Sequence, residues 1–542
     1  MLRVCGRTRG DGHRAVPWRA ADAATAKLLG PLSRFPRTVQ TRPLQRDLGH
    51  EIERFMKPIL TSLALLAVAS LQAAERPNIL FIAVDDLRPE LGCYGNPLIK
   101  SPNIDRIAKA GVVFTRAYCQ QAVCSPSRSS LLTGARPDTT RVWDLETHFR
   151  KALPDVITLP QLFKNHGYFV QGMGKIYHGG FDDPPSWSVP WKAPKAQAYG
   201  SLESRMLVSQ KRQQAIADGK NEQDIQKTVR GPAYEGADVP DNAFHDGALA
   251  DMAVAVLRDI KQKNQPFFLA VGFIRPHLPF VSPRKYWDLY DPAKIPLAPN
   301  PFRPKGAPEY AVLEGGELRS YDSIPKGHLP DDLARRLKHG YYAAVSYMDA
   351  QVGRVLDELD RLGLRDQTIV ILWGDHGWKL GEHDAWCKHS NVENDTWAPL
   401  ILSVPGLKNA GQRTAALVEF VDIYPSLADL AGLPLPGHLE GASFRPLLDD
   451  LNRPWKTAAF SQYPRGAASR RLMGYSMRTD RYRFTRWVHR NDPAKVDAIE
   501  LYDHQSDPQE NENIALKAAN QALIETLEKQ FKSGWKGALP PR

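Results

Sequence analysis

Three short runs, PNILFIAV (77–84), FFLAVGF (267–273) and TIVILWG (368–374), are almost continuously apolar and rich in β-branched side chains. A strand without polar alternation cannot leave one face in water; it needs helices on both sides, as in a largely parallel sheet. Helical stretches separate the runs. They are SPNIDRIAKAG, opened by Ser101 with Pro102 at the first helical position; TLPQLFKNHG; DGALADMAVAVLRDIKQK; and the long segment 331–363. The alternation predicts an α/β fold, a large mixed and mostly parallel sheet flanked by helices. After about residue 455 the pattern changes to short alternating segments, AAFSQY, GYSMRTDRYRFTRWV and IELYDH, followed by the helical NQALIETLEKQFKSGW. That change predicts a main domain over 75–455 and a smaller antiparallel-sheet subdomain over 456–542. The Pro-rich stretch 291–330 reads as a long connection, of the kind that often covers a site.

The 542 residues carry a formal charge of +11, which would suit a nucleic-acid or membrane partner. The excess is local, however: residues 1–55 hold eleven Lys/Arg against five Asp/Glu and show no sustained apolar period. From Met56 a lysine, an apolar run from Ile59 to Ala69 and small residues at Ser70, Ala73 and Ala74 have the build of a secretory signal peptide. The run is too short to span a bilayer. The expectation is therefore upstream sequence over 1–55, a signal peptide over 56–74 and an exported, periplasmic or extracellular protein without stable membrane insertion. The remaining 468 residues have a charge near +4, which removes the case for nucleic acid. They contain four cysteines, Cys93, Cys119, Cys124 and Cys387, too few for a disulfide framework.

In a parallel sheet, ligands bind at the carboxyl ends of the strands. The first run ends in Asp85-Asp86, the third in Asp375-His376-Gly377, and the second leads into Arg275-Pro276-His277. Any one of these could be a cap or a turn. Adjacent carboxylates at one buried strand end and polar clusters at two more instead favour a cation between them. Carboxylates suit Ca²⁺, Mg²⁺ or Mn²⁺, whereas an imidazole tilts the choice toward Zn²⁺ or Mn²⁺, so the residues alone leave the metal open.

Cys124 stands before SPSRSSLLTG, where Ser125 or Ser127 can cap, Pro126 fits the first turn and Leu131-Leu132 begin a buried face. A thiol at such a helix start is expected to have a depressed pKa and to be nucleophilic. The alternative is a small buried residue. A cysteine-phosphatase loop would place five residues between cysteine and arginine, but Cys124 and Arg128 have three between them.

The segment CSPSRSSLLTGARPDTTRVWD resembles the signature of the type I, formylglycine-dependent sulfatases. NILFIAVDDLRPELGCYG, MGKIYHGG, PFFLAVGFIRPHLPF, GDHGWKLGEHDAWCKHSN, FVDIYPSLADLAGL and ELYDHQSDPQENENIA continue the resemblance along the chain. The Asp375-His376 pair and RPDTTRVWD are most similar to the iduronate-2-sulfatase branch and its bacterial relatives. The resemblance implies an alkaline-phosphatase-like sulfatase fold. It implies one Ca²⁺ at Asp85, Asp86, Asp375 and His376, adjoining Cys124, and conversion of Cys124 to formylglycine by a formylglycine-generating or sulfatase-maturating enzyme. Arg128 then matches the arginine supporting the nucleophile. Lys175 and His178 match groups at the sulfate and nucleophile, and His277 and Lys388 match groups at the sulfate and the departing oxygen.

A sulfate ester carries one negative charge, and S–O cleavage sends charge onto the bridging oxygen. Such a site needs fixed positive charge around the group and a proton for the leaving alkoxide. One hydroxyl of an aldehyde hydrate attacks sulfur; the second, deprotonated with help from His178, expels sulfate. The expected substrate is a sulfated saccharide, with a 2-O-sulfated uronic acid of a glycosaminoglycan-like or algal polysaccharide favoured. Alternatives are another sulfated sugar or small sulfate ester, a phosphodiesterase or phosphonate hydrolase of the same architecture, and a catalytically silent glycan binder. Trp187, Trp191, Tyr199, Tyr234 and Trp287 could stack on sugar rings, with packing under loops as their other role.

Overall fold

Strands β1 (Asn78–Val84), β2 (Val112–Phe114), β3 (Phe169–Gly174), β4 (Phe267–Phe273), β5 (Thr368–Gly374), β6 (Leu400–Ser403) and β7 (Arg413–Thr414) form one seven-stranded sheet. Its order is β7-β2-β6-β5-β1-β4-β3. Neighbours run parallel except at β6, which is antiparallel to both β5 and β2. The computed structural model describes residues 76–466 and 471–541, so the segments 1–55 and 56–74 lie outside the described residues.

The three apolar runs are the centre of this sheet. In β1, β4 and β5 every residue is buried. Val84 lies opposite Phe273 on one side and Gly374 on the other, so three carboxyl ends lie side by side. Alternate residues serve two apolar layers, as the period of two requires. Leu80, Ile82, Val84, Val271 and Leu372 face a layer containing α1 (Pro102–Lys109), α4 (His245–Lys261) and α5 (Asp331–Arg361). Ile79, Phe81, Phe268, Ile371 and Trp373 face the layer of α2 (Cys124–Thr133) and α3 (Leu159–Asn165). Each such fully buried aliphatic or aromatic side chain contributes about 1.5–3 kcal/mol.

Two local features depart from the sequence pattern. Ser101 stands at the start of α1 but makes no cap bond there. Its hydroxyl accepts from the Gly92 N–H (3.0 Å), while the Asp349 carboxylate of α5 accepts from the N–H groups of Asn103 (3.1 Å) and Ile104 (2.8 Å). Strand β3 was not among the expected strands, because Gln171, Gly172 and Gly174 interrupt its apolar run. A Cβ on Gly172 would lie 2.6 Å from the Trp187 ring, so the glycine gives that ring its place.

The C-terminal sheet is β8 (Ala458–Arg465), β9 (Leu472–Thr479), β10 (Tyr482–His489) and β11 (Asp492–Asp503), antiparallel throughout. Helix α6 (Gln521–Lys532) covers one face, with Ile524 and Leu527 against Met477, Phe484 and Leu501. Buried charge ties this sheet to the segment between β5 and β6 that carries Glu393. Arg483 pairs with Glu510 (2.5 Å) and with Glu393, and Arg478 also reaches Glu393 (3.1 Å). His504 joins Glu393 and Glu510, but the two arginines already neutralise those carboxylates, so the group is an ion-pair network.

The long connection is fastened to the C-terminal region by mutual backbone bonds, Lys305 N–H to the Asn511 carbonyl and Asn513 N–H to the Lys305 carbonyl, both 2.8 Å. Cys93, Cys119, Cys124 and Cys387 are all free and buried. Among the described residues no helix is long and apolar enough to cross a membrane.

Candidate active site

Asp85 and Asp86 leave β1, Asp375 and His376 leave β5, and all four are fully buried. Asp86 has φ 56°, a left-handed conformation that costs a non-glycine residue on the order of 1 kcal/mol. Bonds on both sides hold it. Its N–H donates to Asp375 Oδ1 (3.1 Å), and its carbonyl accepts from the Tyr341 hydroxyl (2.8 Å).

Cys124 is the first residue of α2, whose cap position is Val123 with no side-chain cap bond. The expected serine cap is absent because Ser127 lies inside the helix and donates to the Asp375 carbonyl (2.5 Å). The thiol lies 3.3 Å from Asp85 Oδ1, 3.4 Å from His376 Nε2 and 3.6 Å from Lys175 Nζ. Its ionisation runs against the expectation from a helix start. Burial, followed by the Asp85 charge, pushes the Cys124 thiol well above its ordinary range, and Lys175 and Lys388 do not compensate. Desolvation outweighs the helix dipole here.

Arg128, one turn along α2, is also fully buried. Its Nε donates to Asp375 Oδ2 (2.8 Å), and its Nη1 donates to the carbonyls of Ile176 (3.0 Å) and Lys175. Lys175 follows β3 and pairs with Asp85. A Cβ on Gly272 would lie 2.2 Å from the Lys175 carbonyl oxygen, so only glycine lets the two strand ends approach there. Three residues on, His178 has a buried Nδ1 without a partner. Burial, reinforced by Lys175, lowers its pKa to about 3, so the ring is neutral at physiological pH.

His277 follows β4 on a turn held by Asp246, whose carboxylate accepts from the N–H groups of Ile274 (3.0 Å) and Arg275 (2.9 Å). Its Nδ1 lies 2.7 Å from the Leu278 carbonyl and its Nε2 lies 3.1 Å from Glu317 and 3.8 Å from Asp86. Both nitrogens face acceptors, the arrangement of an imidazolium. Burial opposes that charge, but Asp86 and Asp85 outweigh it and raise the pKa. Lys388 Nζ bonds Asp86 (3.0 and 3.2 Å) and Glu317 (2.9 Å) and lies 4.7 Å from the Trp378 ring centroid.

Asp85, Cys124, Asp375 and His376 offer ligand atoms all within 4.8 Å of one another. His376 Nδ1 is engaged by the Gly377 carbonyl (2.9 Å), so in the neutral ring the Nε2 lone pair faces the oxygens of Asp86 (3.4 Å) and Asp375 (3.5 Å). Acceptors facing acceptors in a buried site repel unless a cation lies between them. The residues therefore fit a divalent metal ion.

The family model described as Sulfatase matches residues 77–433, and one described as N-sulphoglucosamine sulphohydrolase, C-terminal, matches 381–536. The iduronate 2-sulfatase of Mus musculus is 37% identical over 531 residues, covering 84% of this chain and 94% of its own. The chain belongs to the sulfatase family. This sulfatase is thus a sulfuric ester hydrolase with the alkaline-phosphatase-like fold. Solved structures share that fold. A protein in complex with its substrate D-glucosamine-2-N,6-O-disulfate has a TM-score of 0.67 at 24% identity, covering 86% of this chain and 98% of its own. The phosphonate monoester hydrolase of Silicibacter pomeroyi has a TM-score of 0.66 at 23% identity, with 86% and 96% covered.

The structure of the sulfatase brings together Asp85, Asp86, Cys124, Arg128, Lys175, His277, Asp375, His376 and Lys388, with His178 beside Lys175. Sequence reasoning missed Glu317 and Trp378. The one available signal was the length of the connection that carries Glu317, because a single glutamate in a loop has no pattern of its own. Of the aromatics read as sugar platforms, Trp187, Tyr199 and Trp287 are buried in apolar clusters. Trp191 is 37% exposed and donates to the Gly174 carbonyl (2.8 Å), next to Lys175.

Proposed function

We propose that this sulfatase removes sulfate from 2-O-sulfated uronic acid residues of a glycosaminoglycan-like or algal polysaccharide. The observation that carries the catalytic part is the place of Cys124. It lies where three carboxylates, an imidazole and Lys175 converge, in surroundings that keep its thiol protonated. A thiol so held is a poor nucleophile, which supports its being the precursor of formylglycine. The hydrate of that aldehyde would supply two hydroxyls on one carbon, one to attack sulfur and one to drive sulfate out.

The chain's own side chains do the rest. Arg128 and Lys175 hold positive charge beside residue 124, and neutral His178 accepts a proton from it. His277 and Lys388 face the departing oxygen and supply its proton. Asp85, Asp86, Asp375 and His376 would hold one Ca²⁺, which would supply further positive charge to the sulfate oxygens. A maturating enzyme and export to the periplasm or exterior complete the reading.

The substrate part is supported by the mouse relative's name and its 37% identity. Incubation with saccharides sulfated at O2 of uronic acid or at O6 of glucosamine tests it. Sulfate release from the first is expected; release from the second alone overturns the uronate reading. Removing divalent metal with a chelator should abolish turnover and lower the thermal midpoint by several degrees, with Ca²⁺ restoring both. An ion present at 100 times its Kd stabilises the fold by about 2.7 kcal/mol. An unchanged melting curve would exclude a resident metal.

A further inference from the structure

Glu317 is an acidic group beside two cationic ones, His277 and Lys388. Its carboxylate lies 2.9 Å from Lys388 Nζ and 3.1 Å from His277 Nε2, the two groups that the proposed function assigns to the departing oxygen. The Glu317 side chain is 22% exposed while that of Lys388 is 2% exposed, which puts the glutamate at the mouth and the lysine behind it.

The carboxylate is fixed by its backbone. Glu314 accepts a bond from the Trp386 N–H (3.2 Å), two residues before Lys388. Gly315 has φ 92°, and a Cβ there would lie 2.2 Å from the Trp386 carbonyl oxygen. Leu318 is fully buried beyond it. The short turn Gly316–Arg319 is therefore locked against the strand pair that presents Lys388.

We propose that Glu317 is the charge selector of the sulfate pocket, admitting a monoanionic ester and disfavouring dianions. The proposal rests on the reading that the sulfate group binds among Lys175, His277 and Lys388. A sulfate ester carries one negative charge. Inorganic sulfate, the product, carries two, as does a phosphate monoester at neutral pH. Repulsion from a fixed carboxylate scales with the charge of the anion, so the product is disfavoured about twice as strongly, in free energy, as the substrate. Glu317 would thus speed product release and exclude phosphate monoesters.

Glu317→Gln keeps the side chain's shape and removes the charge. Calorimetric titration with inorganic sulfate and with sulfamate, a monoanion of similar shape, separates charge from fit. In the variant, sulfate should bind about tenfold tighter and sulfamate about threefold tighter than in the wild type. Glu317→Asp, which keeps the charge, should retain the wild-type ratio of the two affinities and covers the case in which the glutamine variant does not fold. Equal tightening of both anions, no change, or weakened binding of both in Glu317→Gln would overturn the proposal, as would an Asp variant that loses the ratio. Wild-type protein that binds neither anion yet releases sulfate from its saccharide substrate would instead sink the reading that the sulfate group binds among Lys175, His277 and Lys388.

Discussion

Cys124→Ala and Cys124→Ser should stay folded and lose about 10⁶-fold in turnover, the scale on which removal of a covalent nucleophile acts. The thiol is 2% exposed and small, so alanine leaves little empty volume, and serine is close to its shape. Neither change unpairs a charge, because Asp85 keeps Lys175 and Arg128. The serine variant is the sharper test: its hydroxyl could accept a sulfuryl group but has no second hydroxyl on the same carbon to expel it. Sulfate release and circular dichroism are the two measurements. A fully active alanine variant would refute the proposed nucleophile, and mass spectrometry of the peptide containing residue 124 reads the modification directly.

Arg128→Ala should cost the fold about 3–5 kcal/mol as well as activity. The guanidinium is buried between Asp375 and Asp85 and also donates to the carbonyls of Lys175 and Ile176. Truncation leaves two buried carboxylates without their shared cation and frees two carbonyls that join β3 to α2. Arg128→Lys should recover only part of the loss, since one ammonium cannot meet acceptors at both ends of a planar fork. The shift of the denaturant midpoint measures the effect. A midpoint within about 0.5 kcal/mol of the wild type, the range of neutral surface changes, would show that the pair carries little stability.

The contrast between these two positions shows what sequence patterns convey. Cys124 and Arg128 are neighbours in one motif, and their spacing alone excluded a phosphatase loop. The state of the thiol was misread, because a helix start favours thiolate while burial against Asp85 disfavours it more strongly. Ser101 was misread for a related reason: a carboxylate from α5 took over the cap. Strand β3 escaped because its glycines serve close contacts with Trp187 and Gly272, which no local pattern encodes.

The sequence by itself determined the central strands, the clusters at their ends and the family, because continuous apolar runs and adjacent ionisable residues are local statements with few physical solutions. The tertiary structure decided which charges meet. Burial, acceptor-to-acceptor distances and the reach of Glu317 from a long connection depend on segments tens to hundreds of residues apart being brought within about 3 Å, the range in which hydrogen bonds and ion pairs act. The protonation of Cys124, His178 and His277 follows from those neighbours.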